Sequence, residues 1–219
     1  MAEERRAYSR PEFNRTIEIK SEQAQRVYER EFTRVVSSLY AIDVILRIIG
    51  DDEEVDQVKQ AVGKMIGDCA VEAEAAKARY DKLRDDNGIT DLPDYSNPRE
   101  VVIRIVSPQV SQFVAVLQKM DELMISLDAL WLCGVVGNKA RSDGLYQWQQ
   151  RLLRLGRRIV SIERRARISA QKRGKEAEVL EATGEVAENP ESAPADTESV
   201  LEGEVAAEIP DDPPTAEAA

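Results

Sequence analysis

Six residues, VIRIVS from Val102 to Ser107, echo TIEIKS within the stretch RTIEIKS (residues 15–21), 86 positions earlier. Both stretches alternate in polarity, both end in serine, and both run directly into a long helical pattern. Alternation with period two is the signature of a strand with one buried face, and the isoleucines mark that face. Ile17 and Ile19 point one way in the first stretch, and Val101, Ile103 and Ile105 in the second. A lone strand leaves its backbone unsatisfied, so each predicted strand needs a partner. The natural partner is the other, which predicts an antiparallel two-stranded ribbon from residues 15–21 and 101–107.

The helical pattern after each strand is also repeated. Ser21 and Ser107 are capping residues, and Pro108 suits a first helical position. Tyr28, Phe32, Val35, Leu39, Ile42, Leu46 and Ile49 are spaced alternately by four and three, which lines one helical face. Gly50 is expected to stop that helix in a left-handed conformation. A second stripe runs from Val55 through Val58, Val62, Met65, Cys69, Ala73, Ala76 and Tyr80 to Leu83, and Asn87-Gly88 ends it. The third stripe is Phe113, Leu117, Met120, Met124, Leu127 and Trp131, closed by Gly134. The fourth is Leu145, Trp148, Leu152, Leu155, Ile159 and Ile162, after a turn expected at 134–144. IDVILRIIG at 42–50 resembles LDALWLCG at 127–134, with Asp43 and Asp128 in matching places. The chain therefore reads as a mainly α protein carrying a two-stranded antiparallel ribbon. Its pseudo-two-fold strand-helix-helix repeat resembles a single-chain ribbon-helix-helix.

The expected organisation is a flexible N-terminus over 1–13, a ribbon and four-helix domain over 14–175, and a disordered acidic tail over 176–219. Within the domain the halves are 14–87 and 100–170, joined by a linker at 88–99 that holds two prolines. The tail is low in complexity, rich in Ala, Glu and Pro. It also explains the charge. The whole chain carries 30 Lys and Arg against 41 Asp and Glu, a net of −11. Residues 176–219 hold 14 of those acids and no base, leaving 30 bases against 27 acids in the remainder. Lys139 to Lys175 contains 12 basic residues against two acids, Asp143 and Glu163. A run of that kind can hold phosphates by releasing counterions, or it can hold the acidic tail in an intramolecular contact.

Several function classes drop out. Histidine is absent, which removes Ser-His and Cys-His catalysis and most zinc sites. Cys69 and Cys133 both fall on apolar stripes and are expected to be buried, reduced thiols. Asp43 and Asp128 read as partnered polar residues that fix helix register, with paired catalytic acids as the weaker alternative. Trp131 and Trp148 read as core. No catalytic, cofactor or metal site is expected. No run approaches the ~20 apolar residues of a membrane span, and the first residues lack the apolar core of a signal peptide. The expectation is a cytoplasmic protein with no membrane contact.

A two-stranded ribbon backed by helices is one of the shapes that enters the major groove of double-stranded DNA. On this reading Thr16, Lys20 and Arg104 face the bases. Arg151, Arg154, Arg158 and Lys139 hold phosphates, and Arg141 lies with Lys139 near a helix N-terminus suited to an anion. Glu18 fits poorly unless it pairs with Arg104 across the ribbon or accepts from a cytosine amino group. The competing readings are a ribbon that merely caps a helical bundle, and an arginine face that receives an acidic protein. The latter would make the chain a non-enzymatic helical adaptor or structural protein.

SPQVSQFVAVLQKMDELMISLDALWLCG (107–134), followed by YQWQQRLLRLGRRIVSIERRAR (146–167), resembles the AcaB-like transcriptional regulators of conjugative plasmids and integrative elements. The resemblance spans about residues 15–170. It implies a DNA-binding, ribbon-helix-helix-like regulator that activates conjugative transfer genes, with Arg104 as a DNA contact. Whether two chains form a homodimer stays open, as do the DNA site and the direction of regulation.

Overall fold

The computed structural model describes residues 11–50 and 52–183. β1 (Phe13–Ile19) leads into α1 (Glu22–Val27), a π-helical turn (Tyr28–Phe32) and α2 (Thr33–Ile49). The junction residues Val27, Tyr28, Phe32 and Thr33 all keep right-handed helical angles, so these three pieces form one run. α3 (Asp52–Asp86), β2 (Arg99–Ile105), α4 (Pro108–Leu132), α5 (Asn138–Lys172) and α6 (Glu176–Thr183) complete the order. The expected ribbon is present: β1 and β2 pair antiparallel as the sole sheet of the described residues.

Each strand sits two residues earlier than the alternation suggested. The serines explain the shift, because both belong to the following helix. Ser21 Oγ accepts from the Ala24 amide and Ser107 Oγ from the Val110 amide, which commits the chain to helical geometry there. Both strands have seven residues and begin at 13 and 99, 86 positions apart. α3 and α5 each have 35 residues and begin at 52 and 138, again 86 apart. The first helical run, of 6, 5 and 17 residues, is longer than the 25 of α4, and the turns after each absorb the difference. The π turn adds a residue inside that run, where Tyr28 and Phe32 stack with ring centres 4.9 Å apart.

α4 is the centre of the molecule. Its second half is enclosed, every residue from Leu123 to Leu130 being buried, and Val110, Val114 and Val116 are covered as well as Phe113, Leu117 and Met120 of its predicted stripe. α3 packs along it on one side, α5 touches it on another, and both strands lie on it. α2 packs along α5. Gly156 permits the α2–α5 approach: a Cβ there would stand 2.9 Å from Val35 Cγ2. The inner faces of Ile17, Ile19, Val101, Ile103 and Ile105 are all buried, joining one continuous core with Phe113, Leu117 and Met120.

Some expectations fail. Gly50 is extended (φ −83°, ψ 150°), not left-handed; it is needed because a Cβ would lie 2.4 Å from Val55 Cγ2 as the chain reverses into α3. Gly134 does adopt positive φ, 75°. The turn expected over 134–144 ends at Gly137, and Asn138–Gly144 is already helix. Cys69 is buried but Cys133 is exposed, because it lies just past the last helical residue Leu132. Trp148 is core, whereas Trp131 is only half-buried.

The first eight residues of the segment expected to be a disordered tail are ordered. Glu176–Thr183 is a helix whose Val179 is buried against Ala41, Ile45 and Ala170. One valine at the right place in an Ala- and Glu-rich segment suffices to dock two turns of helix. The expectations for 1–10 and 184–219 lie outside the described residues. Phe13, assigned to the flexible start, is the first residue of β1.

Candidate nucleic-acid interface

The pleat sends Asn14, Thr16 and Glu18 of β1, and Glu100, Val102 and Arg104 of β2, to the outer face of the ribbon. All six are exposed. Across the ribbon Asn14 faces Arg104, Thr16 faces Val102, and Glu18 faces Glu100. Thr16 and Arg104 therefore share this surface. Arg104 keeps 69% of its side chain in solvent and is 3.8 Å from Glu12. Of the two ways Glu18 could be accommodated, a pairing with Arg104 does not occur, since the register puts them at opposite ends; Glu18 is 3.5 Å from Lys20 instead. Lys20 lies just beyond β1 with its ammonium exposed, while its backbone amide donates to Asp121 Oδ2 at 2.9 Å.

The ribbon's inner geometry is held by α4 and by the loop before β2. Gln25 Nε2 donates to the carbonyls of Ile19 at 3.0 Å and Asn97 at 2.9 Å, tying the end of β1 to the start of β2. Arg99 pairs with Glu29 at 2.5 Å and lies over the Tyr28 ring at 5.3 Å. The strand ends are thereby locked to the π turn.

The predicted phosphate residues divide into two groups. Lys139, Arg154 and Arg158 are exposed on α5. Arg141 and Arg151 are half-buried and engaged in packing. Arg141 donates from Nε to Asp128 Oδ1 at 2.6 Å, and its guanidinium sits 4.2 Å from the centre of the Trp131 ring. Arg151 reaches Glu72 at 3.3 Å and lies over Trp148 at 4.9 Å. Beyond Arg154, every exposed charged residue of α5 is basic: Arg157, Arg158, Arg164, Arg165 and Lys172 join it. Glu163, the one acid of that stretch, is buried and paired with Arg167. The ribbon rests on α4, while α5 packs mainly on α2 and also touches α4 and α1.

The matching acids of the two halves are occupied. Asp43 is bridged by Arg47 at 2.6 Å and Lys59 at 2.8 Å. Asp128 accepts from Arg141 and, at 2.8 Å, from the Tyr95 hydroxyl. Burial, and then the Asp128 carboxylate, push the Tyr95 phenol far above its ordinary range. This cluster binds the loop before β2 to α4 and α5.

Sequence reasoning missed Asn14 and Glu100, the two outer-face residues contributed by the unforeseen strand starts. It also missed Asp121 and Tyr95, which no local pattern distinguishes. No helix of the described residues is long and apolar enough to cross a membrane.

No family model and no curated protein matches the chain. Among solved structures it is similar to the crystal structure of selenomethionine-containing AcaB from uropathogenic E. coli. That likeness has a TM-score of 0.78 and 50% sequence identity, covering 86% of this chain and 94% of that one. Identity at that level over nearly the whole of both chains leaves no room for a different fold or lineage, and the chain belongs to the AcaB family.

Proposed function

We propose that the chain is a non-enzymatic, DNA-binding transcriptional regulator of a mobile genetic element, acting on conjugative transfer genes. The ribbon enters the major groove, and the exposed basic residues of α5, Arg154 and Arg158 among them, take phosphates. The observation that carries this reading is the register of the ribbon. Its central pair, Thr16 and Val102, is separated by the same 86 positions that separate the strand starts and the starts of α3 and α5. A pseudo-two-fold axis through that pair relates β1 to β2, the first helical run to α4, and α3 to α5. The helices pack crosswise between halves, α3 on α4 and α2 on α5, as two chains of a ribbon-helix-helix dimer would. A ribbon generated this way packs its inner face on the helices and turns the other outward with all six outer side chains in solvent, which is what groove entry requires.

Fluorescence anisotropy on duplex DNA at two salt concentrations tests the reading. Binding is expected to weaken steeply with salt, with a log–log slope near −0.9 per phosphate neutralised, so several contacts give a slope of roughly −4 to −6. Arg154→Ala reduces affinity on all sequences alike, whereas Arg104→Ala costs sequence preference more than total affinity. Absent or salt-independent binding overturns the proposal and favours an adaptor whose arginine face receives an acidic protein.

A further inference from the structure

The two ends of the ribbon offer different chemistry. In a ribbon built from two identical chains, the two-fold axis forces both ends to carry the same side chains. A single chain lifts that constraint, and here the outer face has diverged. Asn14 and Arg104 face each other at one end, Thr16 and Val102 meet at the centre, and Glu18 and Glu100 face each other at the other end. The first end is a carboxamide beside a guanidinium; the last is two carboxylates.

The carboxylate end is costly in the free protein. Like charges directly opposite on paired strands destabilise a sheet. The 3.5 Å contact between Glu18 and Lys20 joins two groups about half in solvent, and such pairs contribute little. Facing a phosphate backbone the two glutamates would repel it. A surface that only held phosphates would gain nothing from them, but a base-reading surface has a use for each end. Arginine and asparagine make bidentate bonds to the Hoogsteen edges of guanine and adenine, and an ionised glutamate accepts from the cytosine 4-amino group. Between them, the methyls of Thr16 and Val102 suit the thymine 5-methyl group. Val102 is 65% exposed, an apolar side chain held out at the centre of the outer face.

We propose that the ribbon reads DNA with a fixed polarity: its Asn14/Arg104 end takes purine edges and its Glu18/Glu100 end takes cytosine amino groups. The element under one chain then has a direction, and the protein binds it in one orientation only. Where two chains sit on one operator, any palindrome arises between chains and not beneath a ribbon. The inference rests on the DNA-binding reading above and specifies the ligand of that same surface.

Selection of bound duplexes from a randomised pool, with full-length protein and with two variants, tests it. The variants are Arg104→Ala and the double substitution Glu18→Gln, Glu100→Gln. All three positions are exposed, so the fold is expected to survive, and a thermal melt verifies that. Arg104→Ala should lose base preference roughly tenfold at one edge of the selected element and leave the other edge unchanged. The double glutamine variant should do the same at the opposite edge. If each variant relaxes both edges equally, or the element is its own reverse complement, fixed polarity is overturned while DNA binding stands. Salt-dependent binding with no selected element overturns base reading by the ribbon. No binding at low salt overturns the DNA reading itself.

Discussion

Asp121 holds Ser21 from 100 positions away: its Oδ1 accepts from the Ser21 hydroxyl at 2.5 Å and from the Ser21 amide at 2.8 Å. Oδ2 takes the Lys20 amide at 2.9 Å. Asp121 is buried, 5% exposed, and its carboxylate satisfies three donors where β1 turns into α1. It therefore fixes the ribbon's end on the central helix. Asp121→Ala strands those donors away from water and should lower unfolding free energy by about 3 kcal/mol. Urea denaturation measures it, and Asp121→Asn, which keeps one acceptor, should lose less.

Arg141 is engaged in an interior network with Asp128 and the Trp131 ring. Removing it leaves Asp128, nearly buried, with the Tyr95 hydroxyl and no cation. Arg141→Ala is expected to destabilise by about 3 kcal/mol, visible as a fall in urea midpoint. At temperatures where the variant is folded, its low-salt DNA affinity should match the unaltered protein, in contrast to Arg154→Ala.

Tyr95 also sets an alkaline limit. Its phenol is raised in the folded chain, chiefly by burial and then by Asp128. Below about pH 10 both folded and unfolded chains keep the proton, and the stability is fully present. Above that pH the unfolded phenol ionises first, so stability falls as pH rises. Tyr95→Phe should flatten the decline, as followed by urea midpoints between about pH 9 and 11.

The two cysteines should react differently. Burial, with Glu72 adding to it, pushes the Cys69 thiol up to about 11, while Cys133 is exposed. Ellman's reagent at about pH 8 is expected to titrate one thiol per native chain and two after unfolding. Two fast thiols in the native protein would contradict the packing of α3 against α5.

α6 should detach separately. Val179 is its buried anchor, set against Ala41, Ile45 and Ala170. Val179→Asp places a charge in that contact and should abolish amide protection of 176–183 in hydrogen exchange. Protection in α4 should persist, since the main core does not include α6.

Much of this protein was legible in its residues because the determinants are local. Ile17, Ile19, Ile103 and Ile105 announce strands by alternation, the serines announce helix starts, and the stripes beginning at Tyr28 and Leu145 name the faces that are buried. The resemblance carried by 107–134 and 146–167 led to the AcaB family. Other features depended on what lies across space. The helical stripe could not show that Leu123–Leu130 of α4 would be enclosed all round, because a stripe describes one face and the packed neighbours set the rest. Nor could it show that Arg141 and Arg151 turn toward Asp128 and Glu72, since a guanidinium's fate is decided by the carboxylate it meets. Composition made 176–183 look like tail; a complementary surface on α2 and α5 made it helix. The pairing of Glu18 with Glu100, and of Asn14 with Arg104, came from a register that packing on α4 fixes. A one-residue slip would have turned the isoleucines to solvent, so the buried face determined which side chains the other face presents.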